Sequence, residues 1–293
     1  MTKFLNATLA VTGASGHLGR RVVELLLEAG ATRIVAITRD PSKLADFAAR
    51  GVDVRKASFD DTASLPAAFA GVERLLLIST DALEIRTTQQ GAAIDAAEKA
   101  GVKHIAYTGL PSPYPDPTAL VPNSHFWTEA RLIRSSVDWS FLRNNLYADY
   151  QIPAAQHAIE SGTMFHATGQ GSRAFVTRED CAAAAAGALL SGEGKRIFNI
   201  SGPEALTADQ LAAVFADISG KPVRAQNLPG DALAGGLVKA GVPEGMAGVL
   251  VRFDTDAAKG YLGIVTSDVE ELTGRPPQSI AAFLAANRPA LGV

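Results

Sequence analysis

Three glycines, Gly13, Gly16 and Gly19, lie between an apolar run, Leu9-Ala10-Val11-Thr12, and a helical pattern, Arg20 to Leu27. The chemistry open to such a turn is anion binding. Gly13 can take the backbone angles of a sharp turn. Gly16 lets the main chain approach a phosphate, and Gly19 lets the helix pack against the strand. The helix start then offers free N–H groups and the positive end of its dipole. This is how a dinucleotide pyrophosphate is held. The spacing is Gly-x-x-Gly-x-x-Gly, not the commoner Gly-x-Gly-x-x-Gly, and a glycine turn alone also serves as a plain structural loop. The strand before it and the helix after it favour the dinucleotide.

Arg39 is the second residue of chemical interest. It ends the strand Arg33 to Arg39, about 20 residues beyond Gly19, where an acid would bond the ribose hydroxyls of NAD and an arginine accommodates a 2′-phosphate. The arginine fork matches a phosphate in geometry as well as charge. Lys43 follows one helical turn later. The pair favours NADP(H) over NAD(H); the plainer alternative is two solvated charges beside a helix start.

Other chemistries find little support. The five histidines, at 17, 104, 125, 157 and 166, show no metal-ligand spacing, so no metal is expected. The single cysteine, Cys181, reads as packing and excludes an intrachain disulfide. There is no Gly-x-Ser-x-Gly elbow, and no Gly-Lys-Ser/Thr follows the glycine turn. The formal net charge of −3 gives no electrostatic reason to expect nucleic acid or an anionic membrane. No apolar run approaches a membrane span, and the segment before the first strand is too short for a signal peptide, so a cytoplasmic location is expected. The sequence leaves the oligomeric state open, a homodimer included.

The elements that must position these residues alternate strand and helix. Strand-like stretches at 9–12, 33–39, 53–57, 74–80, 103–109 and 138–143 are separated by helical ones, which gives an α/β fold: a doubly wound parallel sheet with helices on both faces. Binding groups then gather outside the carboxyl ends of the strands. Phe59 is there either to flank adenine or to fill the core, with Asp60 or Asp61 nearby. Ser79 and Thr80 form the polar tail of the fourth strand, and Thr108-Gly109 that of the fifth. Pro111, Pro113, Pro115, Pro117 and Pro122 exclude a helix until Ser124. Residues 1–150, with 178–202 returning, are expected to form the nucleotide domain. Residues 151–177 and 203–293 form a smaller, mostly helical lobe closing over the cofactor.

With these residues in place the chain resembles the NmrA-like, atypical branch of the short-chain dehydrogenase/reductases, and within it the bacterial NADPH-dependent quinone oxidoreductases and triphenylmethane reductases. The matching stretches are Val11 to Gly19, Ile34 to Lys43, Gly71 to Ser79, Gly101 to Thr108, His125 to Glu129, Phe141 to Tyr147 and Thr177 to Ala184. The resemblance implies a Rossmann-type large domain, a small lobe and a substrate cleft between them. It implies that Gly13, Ala14, Ser15, Gly16, His17 and Leu18 hold the pyrophosphate and Arg39 the 2′-phosphate. It places Ser79, Thr80, Thr108, Gly109 and Asn144, Asn145, Leu146, Tyr147 around the nicotinamide half, and Phe175 to Asp180, with Phe175 and Arg178, beside the substrate.

One departure bears on the reaction. The superfamily's Tyr-x-x-x-Lys pair, which protonates an alkoxide, is missing: His125 to Arg134 contains neither residue. That disfavours alcohol and ketone chemistry. It suits an acceptor that takes hydride directly, so the expected activity is transfer from NADPH to a small planar electron-poor molecule, above all a quinone. Tyr147 and Tyr107 are the candidates for hydrogen-bonding an acceptor oxygen, with His125 and Thr128 behind them. The rival is an NmrA-type redox sensor that binds NADP(H) without turnover.

Overall fold

The computed structural model describes residues 2–293. In chain order its elements are β1 (Leu9–Val11), α1 (His17–Glu28), β2 (Ile34–Thr38), α2 (Ala45–Ala48), β3 (Asp53–Lys56), α3 (Leu65–Phe69), β4 (Arg74–Leu77), α4 (Arg86–Lys99), β5 (His104–Gly109), α5 (Leu120–Ile133), β6 (Asp138–Asn144), α6 (Gln151–Ser161), β7 (Thr163–His166), β8 (Ser172–Arg173), α7 (Arg178–Ser191), β9 (Arg196–Ile200), β10 (Leu206–Thr207), α8 (Ala208–Ser219), β11 (Arg224–Asn227), α9 (Gly230–Lys239), α10 (Glu244–Ala258), α11 (Asp268–Thr273) and α12 (Ile280–Ala286).

A seven-stranded sheet runs in the order β3-β2-β1-β4-β5-β6-β9. Pairing is parallel from β3 through β6, with Val11 opposite Ala36 on one side and Leu76 on the other. β1, β2 and β4 are buried along their whole length, as a sheet covered on both faces requires. The strand order reverses at β1, which opens a crevice beside the turn after that strand. This is the Rossmann-type arrangement expected. On one face a core of Leu65, Phe69, Leu75, Leu77, Ile94, Tyr107 and Phe141 packs α3 and α4 onto the strands.

Contacts divide the chain into two compact units: residues 1–143, 179–198 and 268–275, and residues 144–178, 199–267 and 276–293. The first stretch of the first unit ends at Arg143, and 268–275 returns to it. The return has a packing cause. A Cβ on Gly187 of α7 would lie 2.1 Å from the Leu272 carbonyl oxygen, so only glycine admits α11 at that distance. Ion pairs Arg196–Glu271 and Arg275–Asp180 flank the contact.

The second unit is built on α6, α8 and α12 around Phe175, Leu211, Phe215 and Leu284. It also carries two small sheets: β8 antiparallel to β10, and β7 parallel to β11. The sequence does not announce β11, Arg-Ala-Gln-Asn, because one apolar residue in four makes no pattern. α5 likewise begins at Leu120 and not Ser124, because Pro122 sits in its first turn, where an N–H has no intrahelical partner to lose.

Candidate functional site

The turn after β1 is built as its glycines suggest. Gly13 has φ +60°. A Cβ on Gly19 would lie 2.4 Å from the Gly13 carbonyl oxygen and 2.9 Å from Ala14 Cα, so α1 reaches the turn only because residue 19 has no side chain. Ala14 N–H donates to the Ile37 carbonyl at 3.0 Å and Gly16 N–H to that of Gly13 at 2.9 Å. Ser15 Oγ accepts from Thr38 Oγ1 at 2.9 Å. Gly16 is the residue before α1; no side chain caps the helix and no acid occupies its first turn. The N–H groups at His17 and Leu18 thus open a helix start that only water or a ligand anion can serve.

At the end of β2 Arg39 is exposed and makes no hydrogen bond or ion pair among the described residues. Its acidic neighbour is otherwise engaged. The Asp40 carboxylate accepts from Ser42 N–H at 3.1 Å and Ser42 Oγ at 2.6 Å, and those bonds, Ser42 Oγ first, hold its pKa below the usual value. Lys43 is exposed on the following helical turn, and Arg20 pins that turn by donating to the Lys43 carbonyl at 2.7 Å. An uncapped helix start and an unpaired guanidinium on one sheet edge fit a pyrophosphate and a 2′-phosphate.

The strand tails are held from within the protein. Thr12 Oγ1 donates to the Leu76 carbonyl at 3.1 Å and accepts from Ile78 N–H at 2.9 Å. Thr108 Oγ1 accepts from Ser79 N–H at 2.9 Å. Both oxygens of Thr80 that can accept or donate are occupied: Oγ1 donates to Gln89 Oε1 at 2.8 Å, and the carbonyl accepts from Arg86 Nε at 2.6 Å. The hydroxyls of Thr80 and Thr108 are thus bonded within the protein, where they shape the strand tails. Gly109 faces Glu129, whose Oε1 would sit 3.5 Å from a Cβ there. Glu129 is itself paired twice with Arg143, at 2.9 and 2.6 Å; burial pushes its pKa up and Arg143 pulls against that. Phe59 packs partly buried against the sheet core.

Tyr107, His125 and Thr128 come together as the sequence reading grouped them, but away from solvent, at 0%, 5% and 1% exposure. Arg86 NH1 lies 3.2 Å from His125 Nε2, and His125 Nδ1 lies 2.7 Å from Tyr107 Oη. A guanidinium can only donate, so Nε2 accepts and Nδ1 carries the proton to Tyr107. Burial first and the Arg86 charge second push the His125 pKa well down, and burial pushes that of Tyr107 up. The imidazole stays neutral and the phenol stays protonated. The three side chains, expected to serve the acceptor, are here buried and hydrogen-bonded within the protein. Gln90 joins them, donating to Thr128 Oγ1 at 2.8 Å and Tyr107 Oη at 3.3 Å. Arg86, Gln89 and Gln90 were not singled out in the sequence. The available signal was a glutamine pair on the apolar face of a helix and a cation at its first residue.

In the second unit Asn145 is fully engaged: Nδ2 donates to the Leu262 carbonyl at 3.0 Å and Oδ1 accepts from Leu146 N–H at 2.8 Å. Phe175 is 2% exposed, inside the core. The Asn145 side chain is bonded within the protein and Phe175 lies in the core of the second unit, and Leu146 packs partly buried on the same core. Asn144 is different. Its Nδ2 donates to Tyr147 Oη at 3.2 Å while its Oδ1 is buried with no hydrogen-bond partner among the described residues. Tyr147 is half-buried, its ring 6.0 Å from that of the exposed Tyr150. The Arg178 guanidinium lies 5.5 and 5.7 Å from the two ring centres and is tied to Asp149 at 2.9 Å.

Comparison with known proteins shows relatives over nearly the full length of the chain. The chain is 39% identical over 275 residues to quinone oxidoreductase 2 of Escherichia coli (strain K12), covering 93% of this chain and 96% of the relative. The crystal structure of an NADPH-dependent quinone oxidoreductase from Escherichia coli complexed with NADPH superposes with a TM-score of 0.90 at 38% identity, covering 96% of this chain and 99% of the other. The Citrobacter sp. triphenylmethane reductase complexed with NADP(H) superposes with a TM-score of 0.86 at 33% identity, covering 94% and 99%. The profile of the NmrA-like family matches residues 5–272. With its glycine turn, β2 arginine and strand tails arranged as described, the chain belongs to the NmrA-like family.

Proposed function

We propose that this protein is an NADPH-dependent oxidoreductase whose acceptor is a small, planar, electron-poor molecule, a quinone above all. The observation that carries the reading is the uncapped start of α1 beside the unpartnered Arg39. The kinship with quinone oxidoreductase 2 supports it. The turn from Gly13 to Leu18 holds the pyrophosphate, with the N–H groups of His17 and Leu18 as donors, and Arg39 with Lys43 holds the 2′-phosphate. NADPH supplies the hydride.

The chain contributes binding and orientation rather than acid catalysis. Its buried His125 and Tyr107 are locked in one protonation state, and no Tyr-x-x-x-Lys pair is present. A carbonyl conjugated through a quinone ring accepts hydride without a strong protein acid, whereas an isolated ketone needs one. Tyr147 is the side chain we assign to the acceptor oxygen, with Arg178 fixing its ring. The first unit acts as the cofactor domain and the second as the acceptor lobe. No described helix is long and apolar enough to cross a membrane, and we place the protein in the cytoplasm, with no nucleic-acid partner.

Mixing the protein with NADPH and a panel of quinones while following nicotinamide absorbance tests the reading. Turnover is the expected result. Tight NADPH binding with no turnover on any acceptor would instead favour a redox sensor.

A further inference from the structure

Arg86 breaks local rules. It is the first residue of α4, where the helix dipole disfavours a cation. It is 7% exposed, and no carboxylate pairs with it among the described residues. Every partner is neutral: the Thr80 carbonyl at 2.6 Å, Ser124 Oγ at 3.3 Å and His125 Nε2 at 3.2 Å. Burial lowers its pKa accordingly. A buried charge persists only when its donors are satisfied, so the three acceptors must stand where they do.

One turn further on, Gln89 is also buried. It accepts from Thr80 Oγ1 at 2.8 Å and donates to Asp60 Oδ1 at 2.7 Å. The first turn of α4 therefore grips Thr80 by both its polar oxygens and reaches on to Asp60. Asp60 follows β3, and Thr80 follows β4. In strand order these two segments stand on either side of the glycine turn after β1, the edge to which a doubly wound sheet binds its dinucleotide. Arg86 thus commits Nε and NH1, and Gln89 an amide N–H, to protein partners.

We propose that Arg86 and Gln89 are positioning residues for NADPH. They hold the Thr80 tail and Asp60 in one register before the cofactor arrives, so the two segments need not be ordered at binding. The inference rests on the cofactor reading above, and the two fail differently. A wild-type protein that takes up no NADPH removes both; a wild-type protein that binds while the variants bind equally well removes only this one.

The test is a double-mutant cycle on the dissociation constant for NADPH, read by calorimetry on folded protein, with 2′-phospho-ADP-ribose as a second ligand. Gln89→Leu and Thr80→Val each remove the same hydrogen bond from opposite ends. Each is expected to weaken both ligands by about three- to tenfold, the size of one hydrogen bond. The double variant should be no weaker than the worse single variant, because both act through one bond. Arg86→Lys, which keeps a donor for the Thr80 carbonyl, should bind more tightly than Arg86→Met. Wild-type affinity in the folded single variants, or losses that add in the double, would overturn the proposal. Should Gln89→Leu not fold, Thr80→Val and the Arg86 pair decide it by the same criterion.

Discussion

Arg86 NH1 and His125 Nε2 lie 3.2 Å apart inside the first unit, and that contact sets the state of the imidazole. A histidine that accepts from a guanidinium keeps its proton on the far nitrogen and does not take a second one. His125→Asn should therefore leave the pH profile of kcat unchanged in shape, while lowering stability. An altered or lost acidic limb in the kcat profile would give His125 a proton-transfer role.

His104 shows the same logic at the other end of its strand. Its Nδ1 faces Arg74 NH2 at 3.1 Å, and burial first, then the Arg74 charge, lowers its pKa to about 3. The folded value is below the unfolded one, so the unfolded state binds more protons between the two. Stability from this group is complete above about pH 6.5 and is lost as pH falls towards 3, at up to about 1.4 kcal/mol per pH unit. Urea unfolding at pH 7 and 5.5 should show a smaller drop in His104→Asn than in wild type, by about 1 kcal/mol. Equal drops would mean that His104 titrates normally.

Arg39→Glu should weaken NADPH more than NADH, by about 1.5–3 kcal/mol for one charge-assisted bond. Titration calorimetry with both nucleotides measures it. Equal losses would remove Arg39 from the 2′-phosphate site.

Gly19→Ala places a Cβ 2.4 Å from a backbone oxygen, which cannot yield without opening the turn. It should cost about 1–3 kcal/mol of stability and most of the NADPH affinity. Gly91→Ala, in α4 with nothing within 4 Å, should be neutral or stabilising by up to about 1 kcal/mol. Thermal melts and nucleotide titration of both variants separate backbone clash from a general cost of losing glycine.

Tyr147→Phe and Tyr107→Phe should separate the two tyrosines. The first should slow quinone reduction at saturating NADPH with little change in melting temperature. The second leaves the His125 Nδ1–H without its acceptor in the interior and should cost about 1–3 kcal/mol of stability. Slowed turnover with unchanged stability in Tyr107→Phe would reopen its direct role.

Leu9-Ala10-Val11, the glycines behind it and Arg39 are local signals. Strand burial, turn geometry and a strand-end charge each follow from a few adjacent residues, so the doubly wound sheet and the glycine turn after its first strand could be read directly from the chain. β11 and α11 could not, since Arg224–Asn227 is a strand only because β7 lies alongside, and Asp268–Thr273 is placed by Gly187. The same divide runs through the site. Residue type made Tyr107, His125 and Phe175 attractive, but chemistry at a side chain depends on whether solvent and ligand can reach it. Burial is the sum of contacts from segments far apart in sequence: Arg86, Gln90, Tyr107 and His125 meet only after α4, β5 and α5 have packed. The amino-acid order determined the sheet and the turn at its edge. Tertiary packing alone decided which polar groups face it and which are spent holding it in shape.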